Sequence, residues 1–159
     1  MATRTVAVVR ESALPAHCPL RDPAAMASFR AALKAGSDLS LATRDFLATK
    51  PPAQTGAWMR ESLRQSHLLF TPWTMEILML VGAFGSTRFS TLQQLLGASS
   101  RTLSNKLRAL TEGGFLERVV DAGPPLRTSY RLSKHGRATA AAASPLLAHL
   151  NLAAIGALR

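Results

Sequence analysis

Leu96-Gly97-Ala98-Ser99-Ser100-Arg101-Thr102-Leu103-Ser104-Asn105-Lys106-Leu107-Arg108-Ala109-Leu110 is the stretch on which the fold turns. Leu103, Leu107 and Leu110 are spaced by four and three, the interval that stacks side chains on one face of an α-helix. At about 100° per residue the opposite face carries Arg101, Asn105 and Arg108, with Thr102 and Ser104 on its borders. Gly97 supplies the left-handed backbone that ends a preceding helix, and Ser99 or Ser100 can cap the next one by accepting from its free amides. Upstream, Ser90 reads as a cap, and Leu92, Leu95 and Leu96 as the apolar side of the first helix. Gly97-Ala98-Ser99 has the length of the corner in a helix-turn-helix.

The residue types on the polar face suit duplex DNA. Arg can donate two parallel bonds to guanine in the major groove, and Asn can pair in a similar way with adenine, each good pair discriminating by roughly 1–3 kcal/mol. Arg101, Asn105 and Arg108 are therefore the candidate base readers, with Ser99, Ser100, Thr102, Ser104 and Lys106 as phosphate-side contacts. After Gly113-Gly114, Phe115 to Val120 and Thr128 to Leu132 are β-rich, and the loop from Asp121 to Arg127 joins them into a hairpin. Helix, turn, helix, hairpin is the order of a winged helix. Arg127 is the best candidate for a wing contact to the backbone; Arg118 and Arg131 fit equally well as charges that guard an exposed strand edge. Arg88, just ahead of the first helix, joins the candidate contacts. From Trp73 through Arg137, nine Lys and Arg stand against four Asp and Glu, a net +5 that favours phosphate.

Working outward, Trp73 to about Gly82 is apolar on nearly every side and belongs in a core, with Thr71 as its expected cap and Pro72 at its first position. Trp58 to Phe70 predicts a helix with a mixed face. Pro51-Pro52-Ala53-Gln54-Thr55-Gly56 reads as a linker and domain boundary. Before it, Met26, Phe29 and Leu33 predict a short helix over 24–35 stopped by Gly36, and Leu39, Ala42, Phe46 and Leu47 a second, capped by Ser37 or Asp38. Pro15, Pro19 and Pro23 make residues 1–23 an extended arm with little fixed structure. The expected organisation is an N-terminal arm and helical extension over 1–56, of open role, and a winged-helix domain over 57–159. The fold class is mainly α with a small β-hairpin wing.

The whole chain of 159 residues carries 19 Lys and Arg against 9 Asp and Glu, a net +10, which calls for a polyanionic partner. No apolar run approaches the ~18 residues that span a bilayer, and residues 1–10 lack a signal-peptide pattern, so a cytoplasmic location is expected. A single cysteine, Cys18, excludes an intramolecular disulfide, and the scattered histidines make no metal motif. Cys18 itself reads as an inert thiol. No nucleophile-base set, phosphate-cradling glycine loop or carboxylate pair has usable spacing, so neither an enzyme nor a cofactor is expected. Non-specific DNA coating and a protein-binding winged helix remain as alternatives.

From about Phe70 to Gly136 the chain resembles the HxlR-type winged helix-turn-helix regulators, relatives of the MarR-like proteins. The resemblance rests on Trp73 with its apolar helix, Arg88-Phe89, the run Leu103 to Leu110, Gly114-Phe115-Leu116-Glu117-Arg118, the wing run Pro125 to Tyr130, and Leu132-Ser133-Lys134-His135-Gly136. It implies a homodimeric transcriptional regulator with one reading helix per half-site of a partly palindromic operator; a small effector of unknown identity, shifting the spacing of the two reading helices, is an optional further partner. It also implies a dimer held by helices outside the reading motif, here Trp58 to Phe70 and the terminal segment with Leu146, Leu147, Leu150, Leu152 and Ile155.

Overall fold

Leu103, Leu107 and Leu110 are all buried, so α5 (Ser100–Glu112) is turned as its leucine spacing requires. Around them a computed structural model describes residues 9–121 and 127–157; it divides into two compact units, one of residues 58–142 and one made of residues up to 57 together with those from 143. The tip of the predicted hairpin, 122–126, and residues 1–8 lie outside the described residues.

In the first of these units α3 (Thr74–Phe84) supplies Ile77, Leu78 and Val81 to the core, and α4 (Phe89–Leu96) supplies Leu92. The hairpin strands β2 (Leu116–Asp121) and β3 (Arg127–Leu132) close it with Leu116 and Leu132. A strand that the sequence does not announce, β1 (Thr87–Arg88), pairs antiparallel with β3, giving the order β1-β3-β2. Arg88 therefore occupies a strand and the N-cap position of α4; Ser90, the expected cap, is inside the helix, and α4 has no side-chain cap.

The start of α3 also differs. Thr71 does not cap it: its hydroxyl donates to the Leu68 carbonyl at 2.7 Å, closing a 3-10 turn over His67–Phe70. Trp73 takes the N-cap position with φ 70, in the left-handed region, where a bulky residue costs roughly 1–2 kcal/mol. Packing of Trp73 on the core offsets that strain.

α6 (Lys134–Ala154) starts against the foot of the wing. The Ser133 hydroxyl donates to the Gly114 carbonyl at 2.6 Å and accepts from the Gly136 amide at 2.9 Å. Gly136 is buried so close to the Phe115 carbonyl that a Cβ would sit 2.0 Å from its oxygen. Only a residue without a side chain fits.

In the other unit α1 (Pro23–Ala48) runs unbroken for 26 residues, capped by Asp22, whose carboxylate accepts from the Ala25 amide at 2.8 Å. The expected stop at Gly36 does not occur. Glycine costs a helix about 1 kcal/mol relative to alanine, too little against the good helix formers around it, and Lys34 and Asp38 bridge the site at 2.9 Å. Nor is 51–56 a linker: Pro52 is the first residue of α2 (Pro52–Ser66), where its missing amide proton is no loss. The break between the two helices is confined to Thr49-Lys50-Pro51.

The N-terminal arm is more ordered than its prolines suggest. Short 3-10 turns span Glu11–Ala13 and Pro19–Arg21, and the Arg21 guanidinium donates to the carbonyls of Leu14 (2.6 and 3.1 Å) and Pro15 (3.1 Å). Leu14 joins Val9, Met26, Phe29, Leu152 and Ala157 in a second small core, and the Arg10 amide donates to the Ala157 carbonyl at 2.7 Å. Leu152 is thus consumed by the N-terminal extension.

Candidate nucleic-acid interface

α5 begins at a corner fixed by local hydrogen bonds. Gly97 has φ 61, and Ser99 caps the helix by accepting from the Thr102 amide at 3.2 Å while its hydroxyl lies 2.9 Å from that of Thr102. Gln93, on α4, donates to the Ser100 hydroxyl at 2.8 Å and ties the two helices across the turn. That bond has no periodic signature in the sequence, which is why sequence reading passes over Gln93.

With the leucines buried, Arg101, Ser104, Asn105 and Arg108 are exposed, as are Ser99, Ser100 and Thr102 around the helix start. The side chains of Arg101, Asn105 and Arg108 make no hydrogen bond or ion pair among the described residues, so their polar groups are free for a ligand. The Ser99, Ser100 and Thr102 hydroxyls, by contrast, are already engaged in the corner.

Lys106 behaves differently from its neighbours. It is half-buried, and its ammonium donates to the Thr71 hydroxyl at 2.6 Å rather than standing on the open face.

The wing has two faces, because side chains alternate along strands. Leu116, Leu132 and Thr87 point to the core, which leaves Arg88, Arg127 and Arg131 together on the outward face. Arg88 stands opposite Ser129, two residues along β3 from Arg127, so the third strand brings a residue from before the helix-turn-helix onto the wing. Arg131 is paired with Glu117, directly across the ladder, at 2.7 Å. Arg118 reaches the Thr128 hydroxyl at 3.4 Å. Both fit the strand-guarding role better than contact with a ligand.

Among the described residues there is no group of side chains able to hold a metal ion, and no helix is long and apolar enough to cross a membrane.

Residues 68–152 match the family described as HxlR-like helix-turn-helix. Over 74 residues the chain is 40% identical to an uncharacterized HTH-type transcriptional regulator of Mycobacterium bovis, and equally so to one of Mycobacterium tuberculosis; the match covers 46% of this chain. The chain spans under half, 46%, of the length of each of these relatives. In fold it is similar to a MarR-family regulator from Enterococcus faecalis V583, with a TM-score of 0.55 at 23% identity over 60% of this chain and 87% of that one. A MarR-family regulator from Silicibacter pomeroyi DSS is similar at a TM-score of 0.51 and 20% identity, over 69% of this chain and 77% of that one.

Proposed function

Because this chain belongs to the HxlR-like helix-turn-helix family, we propose that it is a transcriptional regulator that binds double-stranded DNA and reads a partly palindromic operator as a homodimer. The observation that carries this reading is the exposure of Arg101, Asn105 and Arg108 on one face of α5, opposite three buried leucines. Such a helix can enter a major groove with its base-reading groups unspent, while its leucines fix its rotation. Arg88 and Arg127 on the outward wing face suit the flanking phosphates. Lys106, turned to Thr71, leaves the set of contacts.

A second copy is proposed as partner because apolar side chains remain open on helices outside the reading motif. Trp58, Met59 and Leu63 on α2 are 49%, 46% and 58% exposed, and Leu146 and Leu150, one turn apart on α6, are 55% and 53% exposed. Two-fold symmetry then sets half-sites about one turn of B-DNA apart. A cytoplasmic location goes with this reading.

Selection of bound duplexes from a random pool tests this directly, with an Arg101/Asn105/Arg108 triple alanine variant in parallel. The wild type enriches a palindrome and the variant does not. Binding without enrichment of any motif would mean non-specific coating driven by the +10 charge. No binding at all would leave a protein-interaction module.

A further inference from the structure

The N-terminal extension forms one wall of a partly open cavity. It is about 450 Å³ and lies where the loop 15–20 faces the last turns of α6, most of it outside the segment that matches the family. Cavities of about 300–1,000 Å³ with apolar walls and a few polar groups are the usual form of small-molecule sites. Here Pro15, Leu20, Ala148, Leu152 and Ile155 supply the apolar wall, and His17, Cys18 and Asn151 add an imidazole, a thiol and an amide.

The loop is built before any ligand arrives. Arg21 holds the carbonyls of Leu14 and Pro15, and the Cys18 amide donates to the Pro15 carbonyl at 3.0 Å. On the other side Leu152 is buried at 2% exposure and Arg10 is tied to Ala157. A concavity held on both sides needs little reorganisation to accept a guest.

Its charge selects the guest. Although the chain carries a net +10, no Lys, Arg, Asp or Glu lines this cavity among the described residues. Nucleotides, phosphates and carboxylates would lose their hydration there without gaining a counter-charge. We propose that this cavity binds an uncharged, largely apolar small molecule of up to about 20 non-hydrogen atoms, oriented by a hydrogen bond to Asn151 or His17.

The test uses the full chain and N-phenyl-1-naphthylamine, a neutral dye that brightens in apolar surroundings. Cys18, the only cysteine, is a built-in reporter. Expected are saturable binding of one dye per chain and a slowing of Cys18 alkylation by a maleimide of about tenfold at saturation. Ala154→Trp, at an exposed position on the cavity rim, weakens dye binding by about tenfold or more. Dye binding that leaves Cys18 alkylation unchanged, or no saturable binding, overturns the proposal. So does a Cys18 shielded only when the chain self-associates, since a second copy would then be the occupant. Because no readout involves DNA, failure here leaves the regulator reading intact, and failure of DNA binding leaves the cavity intact.

Discussion

The Lys106 ammonium, on α5, donates to the Thr71 hydroxyl in the turn before α3 at 2.6 Å. That hydroxyl gives its own proton to the Leu68 carbonyl, and the Thr74 hydroxyl donates to the same carbonyl at 3.0 Å. Lys106 thus ends a short polar chain that braces α5 from behind. Lys106→Met keeps the apolar stem and removes the donor; it is expected to cost about 1.5–3 kcal/mol of unfolding free energy, the usual range for a charged hydrogen bond. The slope of log affinity against log salt for DNA should not change, whereas loss of a phosphate contact lowers it by about 1. Urea denaturation and a salt titration measure the two, and a lowered slope would return Lys106 to the DNA surface.

Arg127 is expected to show the opposite pattern. Arg127→Ala leaves stability nearly unchanged, since the side chain is exposed, but weakens binding to all duplexes alike and lowers the salt slope by about 1. Loss of preference at one base pair, measured on single-substitution duplexes, would instead place Arg127 inside a groove.

Two glycine-to-alanine substitutions should move stability in opposite directions. At Gly136 the new methyl would meet the Phe115 carbonyl oxygen at 2.0 Å, and the backbone must shift; a loss of about 3 kcal/mol or more is expected. At Gly36 nothing lies within 4 Å, and a helix interior gains about 0.5–1 kcal/mol from alanine. Thermal unfolding of the two variants against wild type checks both signs.

Ser99 separates folding from binding. Ser99→Ala removes the cap of α5 and should cost about 1 kcal/mol. Ser99→Asp restores the cap, and its charge suits the positive end of the helix, yet in the proposed complex the same charge would face the phosphates. A variant with wild-type stability and weaker DNA binding is therefore expected, read by denaturation and fluorescence anisotropy.

The helix-turn-helix was legible because its signals are local: three leucines on one face, a glycine that takes positive φ, a serine that caps. The exposed triad Arg101, Asn105 and Arg108 follows from that same periodicity. What escaped depends on partners distant in sequence. Lys106 looks like any basic surface residue until Thr71, far away in the chain, is folded against it. The strand containing Arg88 exists only because β3 offers an edge, and two residues carry no pattern of their own. Gly36 and Pro52 mislead for the reverse reason: both are punctuation in isolation, and surrounding helix formers or position in the first turn decide otherwise. The N-terminal prolines hid an ordered loop because Arg21 and Leu152, outside it, reinforce its own bond from Cys18 to Pro15.

Ser133 leaves the region with few internal degrees of freedom. Its one hydroxyl joins the end of the reading helix, at Gly114, to the first turn of α6, at Gly136, while its amide donates to the Phe115 carbonyl at the wing's base. Reading helix and wing are therefore clamped to a common hub, like two tines on a single handle. A conformational change that leaves this hub closed cannot splay the tines; it moves them together. For the proposed homodimer, control would then act on the pitch and separation of intact reading heads, with the spacing between half-sites as the quantity under regulation.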